Sequence, residues 1–161
     1  MLQKLTQSMI AYYTGDPKRI QHFLKVHELS ALIGKMEGLS DDEQFTLEAA
    51  ALVHDIGIKP AERLYGECGG KLQERLGEGE SRSMLKKLGF EQSVTERVCY
   101  MVAHHHTYTG IDGKDLQILI EADFLVNLYE DGESVSAVQN AFDRIFRTES
   151  GRLICKQMFG L

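Results

Sequence analysis

Residues 51–58 read ALVHDIGI, which sets a titratable base, His54, beside a carboxylate, Asp55, inside an apolar run. A buried ionised carboxylate is costly unless it is paired or bound to a cation. The anomaly recurs in LIEADFLVN, where Asp123 shares a helical face with Leu119, Ile120, Val126 and Asn127, while Glu121 turns elsewhere. His22 is the third anomaly, because Val26, Leu29 and Ile33 follow it at core-facing spacing. His27 lies about 140° further round that helix, so His22 is the favoured one of the two. His22, His54, Asp55 and Asp123 supply two imidazoles and two carboxylates, an N/O set suited to Mn, Fe, Ni, Co or Zn. An ion held by these four keeps positions for water and a substrate oxygen, as metal catalysis requires. Taken singly, each residue has an ordinary explanation: a core histidine with one hydrogen bond, a helix-end pair, an aspartate on a backbone donor or an arginine. Their conjunction points to a metal.

A second unusual stretch is AHHHTYTG. On a regular helix His104, His105 and His106 point about 100° apart, so they cannot all reach one centre. His105 continues the stripe of Val94, Val98, Met101 and Val102, and the other two flank it.

These residues must be positioned by helices. Asp16-Pro17 reads as an N-cap followed by proline at the first helical position, with Gly38 as the stop. Ser40 with Glu43 reads as a capping box opening a helix that ends near Gly57. Five glycines fall between 66 and 79, which predicts a loop or short helical turns before a helix resumes at SRSMLKKLG. Helices are also predicted over SVTERVCYMVAHHH, KDLQILIEADFLVNLYEDG, SVSAVQNAFDRIF and GRLICKQMF. Strand alternation and internal repeats are absent, so the expectation is an all-α bundle of about seven to nine helices.

The chain has 161 residues, 43% hydrophobic and 26% charged, enough for one domain with a sizeable core. No apolar run nears the ~18 residues of a membrane span, and the start does not read as a signal peptide. The net charge of −6 without a basic stripe argues against an extended nucleic-acid footprint. Cys68, Cys99 and Cys155 are scattered and odd in number, which suits a reducing compartment, and the cytoplasm is the default expectation. GGKL is not a phosphate-binding loop, since Leu72 stands where Ser or Thr belongs.

With these residues in this order, the chain resembles the HD-domain superfamily, all-helical metal-dependent phosphohydrolases. The likeness rests on RIQHFLKVHELSALIG, EAAALVHDIGI and ILIEADFLVN, and is greatest to small stand-alone bacterial HD proteins. It covers residues 17–130, with 131–161 expected as C-terminal helices packing on that core. The resemblance implies one or two divalent ions held by His22, His54, Asp55 and Asp123, with an ion-activated water attacking phosphorus.

Dinuclear members carry a His-His pair near a second ion that is bridged by the aspartate of the His-Asp doublet. The resemblance therefore makes His104 and His105 candidates for the second ion, for phosphate contacts or for general acid work. It makes Asp55 and His104 candidate catalytic residues. Those enzymes usually have another histidine between doublet and pair. None occurs here from 56 to 103, and Glu74 is the candidate substitute. A mononuclear site lined by His104 and His105 stands beside that reading. Many members have lysine directly after Ile-Gly. Ile58 takes that place here and Lys59 follows, a candidate phosphate contact.

The activity implied is hydrolysis of a small phosphomonoester or phosphodiester, a nucleotide among the candidates. The partner implied is that small phosphorylated substrate, with no extended nucleic acid and no membrane, and a homodimer as the candidate assembly. Two alternatives are an HD-type di-iron oxygenase, weakened by the gap from 56 to 103, and a non-catalytic nucleotide-binding module, against which the complete ligand set stands.

Overall fold

Asp16 accepts the Arg19 backbone N–H on its side chain and Pro17 follows at the first helical position, so the first long helix begins where the capping residues dictate. Ser40 and Glu43 form a reciprocal capping box at the start of the next. The computed structural model describes residues 1–161, which form nine helices and no strand. They are α1 Leu2–Tyr12, α2 Pro17–Met36, α3 Asp41–Val53, α4 Ile58–Tyr65, α5 Gly70–Leu88, α6 Gln92–Val102, α7 Lys114–Glu130, α8 Val135–Arg144 and α9 Glu149–Phe159. The architecture is therefore all-α, as the periodicity predicts.

The second half of α3 and most of α7 are buried on every side and lie at the centre. On α3, Leu47, Ala49, Ala50, Ala51, Leu52 and Val53 are wholly buried, as are Leu116, Ile118, Leu119, Ile120, Ala122 and Leu125 on α7. A helical segment buried on every side needs neighbours all round. Accordingly α2 packs against both, α6 and α1 cover α3, α5 lies on α6, and α9 closes over α7 and α8. No helix is long and apolar enough to cross a membrane.

The expected loop at 66–79 is corrected: α5 is already helical from Gly70. Gly70 and Gly77 of this helix are packing contacts. A Cβ on Gly77 would stand 2.8 Å from Val102 Cγ1, and one on Gly57 would run into the backbone of Gln73 and Gly77. Helix α5 thus lies directly on the turn after α3, an approach only glycine allows. Glu121 does turn away from Asp123, but into the interior. It is fully buried and accepts hydrogen bonds from Gln117 Nε2, the Arg147 and Thr148 backbone N–H groups and the Thr148 hydroxyl.

Candidate metal centre

His54 stands immediately after α3, and its Nδ1–H donates to Ala51 O at 2.8 Å. A carbonyl only accepts, so the proton of the neutral ring sits on Nδ1 and Nε2 carries a free lone pair. His105 repeats the arrangement after α6, with Nδ1–H donating to Val102 O at 2.8 Å. Two helix ends thus deliver two fully buried imidazoles in the same tautomer. Asp55 lies in the turn between α3 and α4. Tyr13 of α1 fixes that turn by donating its hydroxyl to Asp55 O at 2.7 Å, and Tyr12 donates to Ile56 O.

Three distant elements converge here. His22 Nε2 lies 3.2 Å from Asp123 Oδ1, 3.4 Å from Asp55 Oδ2 and 3.3 Å from His54 Nε2. His54 Nε2 is 3.5 Å from Asp55 Oδ2 and from Asp123 Oδ1. Ligands bonded at about 2.0–2.2 Å to one ion stand roughly 3.0–3.5 Å apart, so this spacing fits a single cation at the centre. Glu130 Oε2 accepts from His22 Nδ1 at 2.9 Å and is itself paired to Lys25, while Asn127 Nδ2 donates to Asp123 Oδ1. Such outer partners orient metal-binding side chains.

The other oxygen of Asp55 faces a second group. Asp55 Oδ1 lies 3.5 Å from His105 Nε2, and Asp55, His105 and His106 each place a ligand atom within 4.8 Å of the others. His105 Nε2 is buried and makes no hydrogen bond. A lone pair left bare beside a carboxylate is what a cation would satisfy. The four rings of His22, His54, His105 and His106 follow one another at centroid separations of 5.3, 5.4 and 4.0 Å.

Burial opposes charging His54, but Asp55 and Asp123 outweigh it and push its pKa up to about 9. His22 is raised in the same way, against its burial, through Asp123 and Asp55. The imidazoles in turn hold Asp123 well below the usual carboxylate range although its burial acts upward. Asp55 is lowered likewise by His54 and His105. His106 goes the other way: burial, then the neighbouring His105, pushes it down to about 4.

Three sequence-derived candidates stand elsewhere. His104 donates Nδ1–H to Tyr100 O and stacks on the Tyr100 ring at 4.1 Å, outside both groups, and His106 occupies the place expected for it. The chain leaves the helix at Val102 and enters a turn, so the 100° spacing of a regular helix no longer applies. Glu74 is buried but committed: it accepts from the His106 N–H, the Thr107 hydroxyl and Lys71 Nζ, and so pins the turn. Lys59 is exposed and donates to Tyr12 O across the Tyr12 ring, away from the centre. Sequence reasoning passed over His106, Glu130 and Tyr13. The adjacency of His106 to His105 was the only available signal, since Glu130 and Tyr13 act through distant partners.

An open cleft of about 240 Å³ leads to the centre, lined by Lys18, Arg19, His22, Asp55, Asn127 and Glu130 among others. A larger cleft beside Arg97 lies apart from these residues, and its guanidinium is already paired to Asp112 and Asp115.

No curated protein matches the chain. One solved structure is similar in fold, a predicted HD superfamily hydrolase from an uncultured Thermotogales bacterium. It is 24% identical with a TM-score of 0.71, over 98% of this chain and 84% of that one. The family model of the HD domain matches residues 19–138, a span that includes His22, His54, Asp55, His105, His106 and Asp123. By that match over most of its length, the chain belongs to the HD-domain family.

Proposed function

We propose that the protein is a metal-dependent phosphohydrolase that cleaves a small phosphomonoester or phosphodiester. The observation that carries this reading is Asp55, whose two oxygens face two separate groups of donors, one of them containing the unpartnered Nε2 of His105. His22, His54, Asp55 and Asp123 would hold one divalent ion, and Asp55, His105 and His106 a second. A divalent ion there acidifies water and offsets the charge of a phosphoryl group.

The chain's own side chains do the positioning. His54 and His105 are locked by their carbonyl partners into the tautomer that presents Nε2. Glu130 orients His22, and Tyr13 fixes the backbone of Asp55. His106 stays neutral at pH 7, and with Nε2–H donating to Gln73 Oε1 its lone pair lies on Nδ1. Lys18 and Arg19 line the cleft among Asp16, Asp55, Glu130 and Asp131, so the bound ions would supply most of the attraction for an anionic group. Arg19 is already tied to Asp16 and Glu62, which leaves Lys18 the freer cation. The size of the cleft suits a phosphoryl group carrying a modest substituent.

The test is elemental analysis of protein purified without chelator. Phosphate release is then measured after loading with Mn²⁺, Co²⁺, Ni²⁺ or Fe²⁺, across nucleotides, sugar phosphates and a phosphodiester. Stoichiometric metal and turnover of at least one ester are expected, and no turnover across the panel counts against the reading. The bridging position of Asp55 would also serve a di-iron oxygenase, so oxygen uptake with bound iron and no phosphate release selects that alternative. Tight nucleotide binding without turnover selects a binding module.

A further inference from the structure

The turn after α6 carries one large residue that the proposed chemistry does not use. Tyr108 is 42% exposed, yet its ring is braced edge-on by Phe124 at 5.2 Å, and its hydroxyl lies 3.4 Å from His106 Nδ1. The contact of Tyr108 with His106, a member of the second donor group, sets this aromatic pair beside the candidate centre. The segment is anchored at both ends. Thr107 is held by Glu74 and Lys71, and Asp112 is held by Arg97.

An exposed aromatic ring fixed in place next to a reactive centre offers a flat face at little cost in side-chain entropy. Resting on the phosphohydrolase reading, we propose that Tyr108 is a specificity residue. Its ring stacks on a planar aromatic substituent of the phosphoester. A planar group is favoured over an alkyl chain because the braced ring presents a face.

The probes are adenosine 5′-monophosphate and ribose 5-phosphate, which share the scissile bond and differ only in the base. Binding of each to the Mn²⁺-loaded chain is measured by calorimetry, and phosphate release is followed separately. Base–aromatic stacking corresponds to about tenfold or more in affinity, so the nucleotide is expected to bind at least that much tighter. Tyr108→Ala and Tyr108→Leu are expected to bring the ratio of the two affinities close to one. Tyr108→Phe keeps the ratio, as does Tyr65→Ala, an exposed tyrosine at the end of α4. Equal affinities in the wild type, or a ratio unchanged by Tyr108→Ala, would overturn the proposal. A Tyr108-dependent preference without phosphate release would uphold the subsite while overturning the hydrolase reading.

Discussion

The two donor groups share Asp55 but are built differently. The first draws on regular helix and its ends, and each member has backing: Glu130 behind His22, Ala51 O behind His54, Asn127 beside Asp123. The second takes both imidazoles from one four-residue turn. His105 Nε2 has no partner, and the His106 ring is shared with Gln73 and Tyr108. Their charge states differ in the same sense. Carboxylates outweigh burial at His22 and His54 and raise both, whereas burial prevails at His106 and lowers it. Without an ion, the first group substitutes protons for the missing cation. The second keeps a bare lone pair on His105 Nε2, so the two sides of one carboxylate should respond differently to metal and to pH.

The substitution that tests the shared element is Asp55→Ala, and it should have the largest effect. Loss of an outer partner usually lowers metal affinity or activity about 10–100-fold, and removing a bridging ligand should exceed that, to about 10³-fold or more in phosphate release. Elemental analysis should show metal falling in both groups together. Retention of one full equivalent in Asp55→Ala would mean that the groups are independent.

A smaller effect separates the members of the triple histidine. His106→Ala should reduce bound metal by up to one equivalent while the first group stays filled, with turnover about 10–100-fold lower. His104→Ala should keep its metal, because that ring is spent on Tyr100. The reverse ranking, read by elemental analysis on matched preparations, would restore His104 as the second-ion candidate that the family resemblance implies.

That ranking also marks where the sequence was legible. His22 and Asp123 lie on regular helices, where the spacing of Val26, Leu29 and Ile33, or of Leu119 and Val126, reports the buried face directly. Capping residues located the starts of α2 and α3 for the same reason, since the information is local. Periodicity stops at a helix end, so it could not rank His104 against His106 beyond Val102. The glycines at 57 and 77 read as loop punctuation, because the reason for them is a neighbouring helix that sequence spacing does not contain. Glu121 was hidden similarly: its partners at 147 and 148 come from a segment far along the chain.

The smallest effect concerns protons at the first group. In the ion-free chain His22 and His54 have raised pKa values, His54 to about 9, so the folded state binds protons that an unfolded imidazole with a pKa near ~6.5 releases. The stabilisation from those protons is full below that unfolded value and is lost as pH climbs toward the folded one. The ion-free melting temperature should therefore fall between about pH 6.5 and 9, at roughly 2–4 °C for each kcal/mol in a domain of this size. Bound metal inverts the dependence. A coordinated imidazole must be deprotonated, so affinity rises with pH, and stabilisation by ligand grows with affinity. Thermal melts across this range, in chelator and in excess Mn²⁺, should diverge as pH rises. His106 contributes little, because its lowered pKa leaves it uncharged across this range. Parallel melting curves would show that the protons on His22 and His54 do not compete with the ion, and would remove the contrast between the two sides of Asp55.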